Sequence, residues 1–134
     1  MFLSNIIERF MKRNNLEFRE QCAFFEWLNY YPSIRGVTFA IPNGSGRHIV
    51  EAVNLKRSGV TKGAPDIFMA VPNKTSCGAF IEFKAGNNKL TKEQAAMMRM
   101  LKANGYACFV CYSFNDAREA VTKYLGESFR QNLQ

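Results

Sequence analysis

Two runs, Asp66-Ile67-Phe68-Met69-Ala70-Val71 and Gly78-Ala79-Phe80-Ile81-Glu82-Phe83-Lys84, decide the fold, and Pro72-Asn73-Lys74-Thr75-Ser76 joins them. Both are apolar stretches of strand length bounded by turn residues, which predicts two strands with a hairpin as the simplest connection. Glu82 and Lys84 stand two apart, so their side chains leave one face of the second strand while Ile81 and Phe83 leave the other. Asp66 opens the first strand, where a hairpin brings it toward that pair.

Paired carboxylates are the hard oxygen ligands that Mg²⁺, or Mn²⁺ in its place, accepts, and such a site keeps waters for a substrate or nucleophile. A metal so held binds a phosphate oxygen and lowers the pKa of an attacking water, and a neighbouring ammonium stabilises developing negative charge. An acid two residues before a lysine also occurs by chance on the order of once in a chain of this length. Alternating charge on the exposed face of a half-buried strand is the competing explanation.

Working outward, Thr91-x-x-Gln94 is a capping-box pattern opening a helix through Met97, Met98 and Leu101 to Gly105, followed by a strand from Tyr106 and a helix from about Asn115 to Leu125. Upstream, Val37–Ile41 reads as a strand closed by Pro42-Asn43-Gly44-Ser45-Gly46, and Arg47 to about Ser58 as a helix. The apolar spacing of Phe2, Leu3, Ile6, Ile7, Phe10 and Met11 predicts a short amphipathic helix, which Asn14-Asn15 is expected to break. A second helical pattern then runs from Leu16 to Tyr31 and stops at Pro32. Strands and helices so mixed imply an α/β fold with a central mixed sheet flanked by helices.

The chain has 134 residues, 47% of them apolar, which supports one hydrophobic core, so residues 1–134 are expected to form a single domain. No apolar run is long enough to span a membrane and no leader pattern opens the chain, so a soluble cytoplasmic protein without membrane association is expected. A formal charge of +7 favours polyanionic partners without proving one. The four cysteines do not suggest a disulfide framework. Cys108 and Cys111 form a C-x-x-C, but three residues apart on a strand they point to opposite faces and read as small buried hydrophobes.

Gly63-Ala64-Pro65-Asp66, then Ile81-Glu82-Phe83-Lys84, then a helix carrying Gln94, resembles the VRR-NUC family of the PD-(D/E)xK superfamily. Glu20-Gln21 with Phe25 and Trp27, Ile41-Pro42-Asn43-Gly44 with Arg47, Leu55-Lys56 with Gly59-Val60, and Gly105-Tyr106 support the likeness, which extends from about Glu20 to Leu125. Residues 1–15 stand outside it as an extra N-terminal helix. The resemblance implies a restriction-endonuclease-like PD-(D/E)xK core and metal-dependent hydrolysis of DNA. It implies Asp66, Glu82 and the Phe83 carbonyl as metal ligands, Lys84 as the catalytic lysine, Glu20 as the helical acid beside the metal, and Gln94 as a site glutamine. Stand-alone members of bacterial or phage type look like homodimers that cut four-way (Holliday) junctions in the cytoplasm of a bacterial or phage-infected cell.

Glu20 shares a helical stripe with Phe24, Trp27 and Tyr31, so its carboxylate either finds a partner at the site or sits at the stripe's solvent edge. Glu26 is rotated away from it. The Gln94 amide has two competing uses, capping at Thr91 or pointing into the site. Candidate DNA contacts are Arg47, His48, Lys56, Arg57, Lys62 and Lys89, and the lone His48 provides no histidine metal cluster. The apolar N-terminal stripe must pack on its own domain or on a partner. Two rivals stand beside a nuclease: a DNA-binding module of the same fold that does not cut, and a small interaction protein with an incidental E-x-K.

Overall fold

The computed structural model describes residues 2–42, 49–126 and 129. In chain order the elements are α1 (Phe2–Leu28), α2 (Pro32–Arg35), β1 (Thr38–Ala40), α3 (Ile49–Arg57), β2 (Ile67–Met69), β3 (Ala79–Phe83), α4 (Lys92–Ala103), β4 (Ala107–Cys111) and α5 (Phe114–Leu125).

The four strands lie in the order β1-β2-β3-β4. The β2–β3 hairpin is antiparallel, as the sequence predicts, with Ile67 opposite Ile81, and β1 is antiparallel to β2. β3 and β4 are parallel, with Glu82 opposite Val110. Parallel neighbours need a crossover, and α4 supplies it. The result is the mixed sheet flanked by helices that the residue pattern implies.

Alternation along the strands divides the sheet into two faces. Ile67, Met69, Ala79, Ile81, Phe83 and Cys111 point into a core closed by Phe24 and Leu28 of α1 and by Ala117, Val121 and Tyr124 of α5. Phe68, Phe80, Glu82 and Cys108 leave by the other face, where α4 lies with the Met98 carbonyl 3.9 Å from Cys108 Sγ. The C-x-x-C cysteines therefore diverge, and both are free thiols. Burial pushes the Cys111 thiol up to about 12, which keeps it protonated.

One expected break is absent. α1 runs unbroken through Asn14-Asn15. Asparagine costs only a few tenths of a kcal/mol in a helix, and no glycine or proline there forces a stop. The helix ends instead at Leu28, where Tyr30 N–H and Tyr31 N–H turn back to the Trp27 and Leu28 carbonyls. Pro32 then opens α2 rather than ending a helix, because a proline at the first helical position lacks only an N–H that has no intrahelical partner.

Of the N-terminal stripe, Leu3, Ile6 and Ile7 are each more than half exposed, and the side chains of Phe2, Phe10 and Met11 lie outside what the structure describes. No helix among the described residues is long and apolar enough to cross a membrane.

Candidate active site

Asp66 and Glu82 meet one step beyond the last strand pair of β2 and β3. Ile67 faces Ile81, so Asp66 falls opposite Glu82 on the face away from the core. Each carboxylate accepts a main-chain N–H from the other strand: Asp66 N–H donates to Glu82 Oε2 at 3.1 Å, and Phe83 N–H donates to Asp66 Oδ2 at 2.8 Å. The Asp66 carbonyl accepts from Ile41 N–H at 2.7 Å, which ties its backbone to the chain leaving β1.

The loop before Asp66 is set by Gly63. Its φ of +90° favours glycine, and an added Cβ would lie 2.7 Å from the backbone carbonyl of Glu93 in the first turn of α4. Exposed Lys62 adds an ion pair to Glu93 at 3.5 Å. The loop thus seats against α4 and delivers Pro65 and Asp66 to the sheet.

Glu82 is 4% exposed. Its Oε1 accepts from Gln94 Nε2 at 2.8 Å and stands 3.9 Å from Lys84 Nζ. Burial, reinforced by the negative charge of Asp66 and only partly opposed by Lys84, raises the Glu82 pKa from 4.5 to about 8. Burial also raises Asp66, against the lowering effect of the Phe83 N–H. Two adjacent carboxyls in a poorly solvated site cannot both ionise cheaply, so the pair retains a proton near neutral pH.

This donor set fits a divalent cation. A hard cation relieves the mutual repulsion of the pair and supplies the charge that solvent cannot. Among the described residues no third His, Cys, Asp or Glu completes a cluster around the two. Asp66 and Glu82 are the residues that would hold such an ion, and one or two carboxylates with water at the other positions are a donor set that Mg²⁺ accepts.

Glu20 does not join that group. Its Oε2 accepts from Phe114 N–H at 2.7 Å, at the first turn of α5, where exposed N–H groups attract a carboxylate. The resemblance sets Glu20 beside a metal; the partner this structure shows for it is the Phe114 N–H. The acid of α1 that reaches the exit of β3 is Glu17, whose Oε1 accepts from Ala85 N–H at 3.1 Å, one residue past Lys84. Sequence reasoning missed Glu17, although its three-residue spacing from Glu20 puts both on one helical stripe.

Gln94 serves both uses that were set in competition. Its Oε1 accepts from Thr91 N–H at 3.0 Å, completing the capping box, while Nε2 donates to Glu82. Phe83 contributes its N–H to Asp66 and its ring to the core.

Among the basic candidates, Lys56 and Arg57 end α3, and they, Lys62 and Lys89 are exposed. The loop carrying Lys89 is tied down by Tyr112 Oη, which donates to the Asn88 carbonyl at 2.9 Å. Arg47 and His48, with the Asn43–Gly46 turn, lie outside the described residues. Two concavities, of about 370 Å³ beside Tyr31 and Leu125 and about 460 Å³ between α1 and β1, contain none of Asp66, Glu82 or Lys84.

No curated protein matches the chain. A solved structure described as a VRR_NUC domain protein is similar to it with a TM-score of 0.70 and 23% identity, over 81% of this chain and 87% of that one. At that identity the likeness speaks for the fold. The family model of the VRR-NUC domain matches residues 4–115, which take in α1 from Ser4 onward, and so most of residues 1–15 that the resemblance left outside, the hairpin with Asp66, Glu82 and Lys84, and Gln94. The chain belongs to the VRR-NUC domain family, a nuclease-type family.

Proposed function

We propose that the protein is a divalent-metal-dependent endodeoxyribonuclease. The observation that carries this reading is the pairing of half-buried Asp66 with buried Glu82, each acid fixed by an N–H of the opposing strand, with Lys84 Nζ 3.9 Å from Glu82. Bound Mg²⁺ or Mn²⁺ would polarise the scissile phosphate and acidify a water. Asp66 and Glu82 are the side chains that would hold the ion, as carboxylates. Lys84 holds a positive charge beside Glu82, where it can orient the attacking water or stabilise negative charge on the phosphate. Lys56, Arg57, Lys62 and Lys89, with Arg47 and His48, are the proposed contacts to the DNA backbone, consistent with a net charge of +7.

Branched DNA, four-way junctions above all, is the proposed substrate and a homodimer the proposed active form, working in the cytoplasm. One domain offers one carboxylate pair, and cutting two strands in one encounter needs two. Leu3, Ile6 and Ile7, exposed on α1, are the apolar surface a second copy would cover.

The test is to incubate the protein with labelled junction, flap, single-stranded and duplex DNA, in Mg²⁺ and in EDTA, and to measure its mass by light scattering. A dimer that cuts junctions in Mg²⁺ alone supports the whole proposal. A monomer that cuts linear duplex equally well removes the branched-DNA and dimer parts. Salt-dependent binding without cutting under any metal would establish the non-cleaving module instead.

A further inference from the structure

The capping box at the start of α4 accepts either glutamate or glutamine at its third position, because the cap needs only a side-chain oxygen facing the N-cap N–H. This chain has Gln94 there, and its amide divides between two partners: Oε1 takes the Thr91 N–H at 3.0 Å and Nε2 gives to Glu82 Oε1 at 2.8 Å. The orientation of the amide is fixed by its neighbours. Turned over, it would set its NH₂ against the Thr91 N–H, donor against donor, and the cap would lose its acceptor. A glutamate at 94 would cap α4 equally well and could not donate to an ionised Glu82.

We propose that Gln94 is a positioning residue that holds Glu82 from inside the capping box, so that the first turn of α4 is the frame on which both site carboxylates are set. Glu82 has three side-chain torsions to fix, and it is held from opposite sides, by Asp66 N–H on Oε2 and by Gln94 on Oε1. Thr91 Oγ1 accepts from Gln94 N–H at 3.2 Å, which pins the backbone from which the amide reaches. Asp66 is placed by the same turn, because Gly63 packs on the Glu93 backbone three residues before it. The role of Gln94 is thus carried through Glu82 and needs no contact with substrate.

The consequence for metal affinity rests on the metal-site reading above; the consequence for the Glu82 conformation does not. The experiment uses the full chain without DNA, with Mn²⁺ as the probe in calorimetry, and compares Gln94→Met with Thr91→Ala. Thr91→Ala weakens the cap while leaving the Gln94–Glu82 bond, and is expected to keep Mn²⁺ affinity within about twofold of the parent and to show the melting-temperature loss due to the cap. Gln94→Met removes both bonds and is expected to weaken Mn²⁺ binding about tenfold, the size typical when a hydrogen bond orienting a metal ligand is lost. Metal-free crystal structures of the parent and Gln94→Met complete the test. Glu82 is expected in one conformation in the parent and displaced or split in the variant.

Equal losses of affinity in the two variants would make Gln94 a cap residue only and overturn the proposal, as would an unmoved Glu82. A parent that binds no Mn²⁺ would sink the metal reading, and the Glu82 conformation would still decide the role of Gln94.

Discussion

Replacing Glu82 with glutamine makes the raised pKa of the site measurable as stability. In the metal-free folded protein Glu82 keeps its proton up to about pH 8, whereas in the unfolded chain it releases it near the ordinary value of 4.5. The unfolded chain therefore binds fewer protons between those values, and stability falls as pH rises. The contribution is complete below about pH 4.5, declines through neutrality and is exhausted above about pH 8. At about 1.4 kcal/mol per pH unit the interval from 4.5 to about 8 has an upper limit of about 5 kcal/mol. Solvent at half-buried Asp66 screens the pair, so we expect about 2 kcal/mol, or roughly 8 °C in melting temperature. The assay is thermal unfolding of the parent and Glu82→Gln in EDTA from pH 5 to pH 9. The variant also loses a hydrogen bond, which displaces its whole curve without changing the slope, so the quantity to read is how the difference between the two proteins changes with pH. That difference should move in favour of the variant by roughly 8 °C between pH 5 and pH 8. Mg²⁺ should restore the parent at pH 8 and leave the variant unchanged. Parallel curves for the two proteins would refute the argument that Glu82 is held protonated by burial and by Asp66.

Gly63→Ala should cost at least about 2 kcal/mol in denaturant unfolding and most of the cleavage rate, because it combines a positive φ with backbone at 2.7 Å. Gly59→Ala, at φ +104° with open space around it, should cost only about 1 kcal/mol and leave cleavage near the parent rate. Similar effects at the two positions would show that the Gly63–Glu93 contact does not set the site. Glu17→Gln should reduce kcat for cleavage more than Glu20→Gln, which should chiefly lower the melting temperature by loosening the start of α5; the reverse order would return Glu20 to the site. Ile6→Glu combined with Ile7→Glu should convert the proposed dimer to a monomer by light scattering with little change in melting temperature, since both side chains are exposed in the single chain.

The hairpin was legible because strand alternation is local: two apolar runs, a turn and the two-residue spacing of Glu82 and Lys84 suffice to put the charges on one face and Ile81 and Phe83 on the other. The α4 cap was legible for the same reason, as Thr91 and Gln94 state it within four residues. What could not be read was geometry that depends on distant partners. Asn14-Asn15 marks a boundary by propensity, yet a continuous helix costs little there. Glu17 and Glu20 share a stripe, and only the approach of Ala85 to one and Phe114 to the other separates their roles. The two uses of Gln94 looked exclusive because sequence does not show that Thr91 and Glu82 lie at opposite ends of one amide.

Cleavage of a labelled four-way junction by the parent and by Asp66→Asn, each in Mg²⁺ and in EDTA, tests the metal site most directly when DNA affinity in EDTA is measured beside it. If Asp66 is a metal ligand, the expected result is cutting by the parent in Mg²⁺ alone, background cutting by Asp66→Asn, and similar DNA affinity for the two proteins in EDTA, because the substitution removes a metal ligand and no phosphate-binding cation. Cutting by Asp66→Asn at a rate near that of the parent, or by the parent in EDTA, would contradict it.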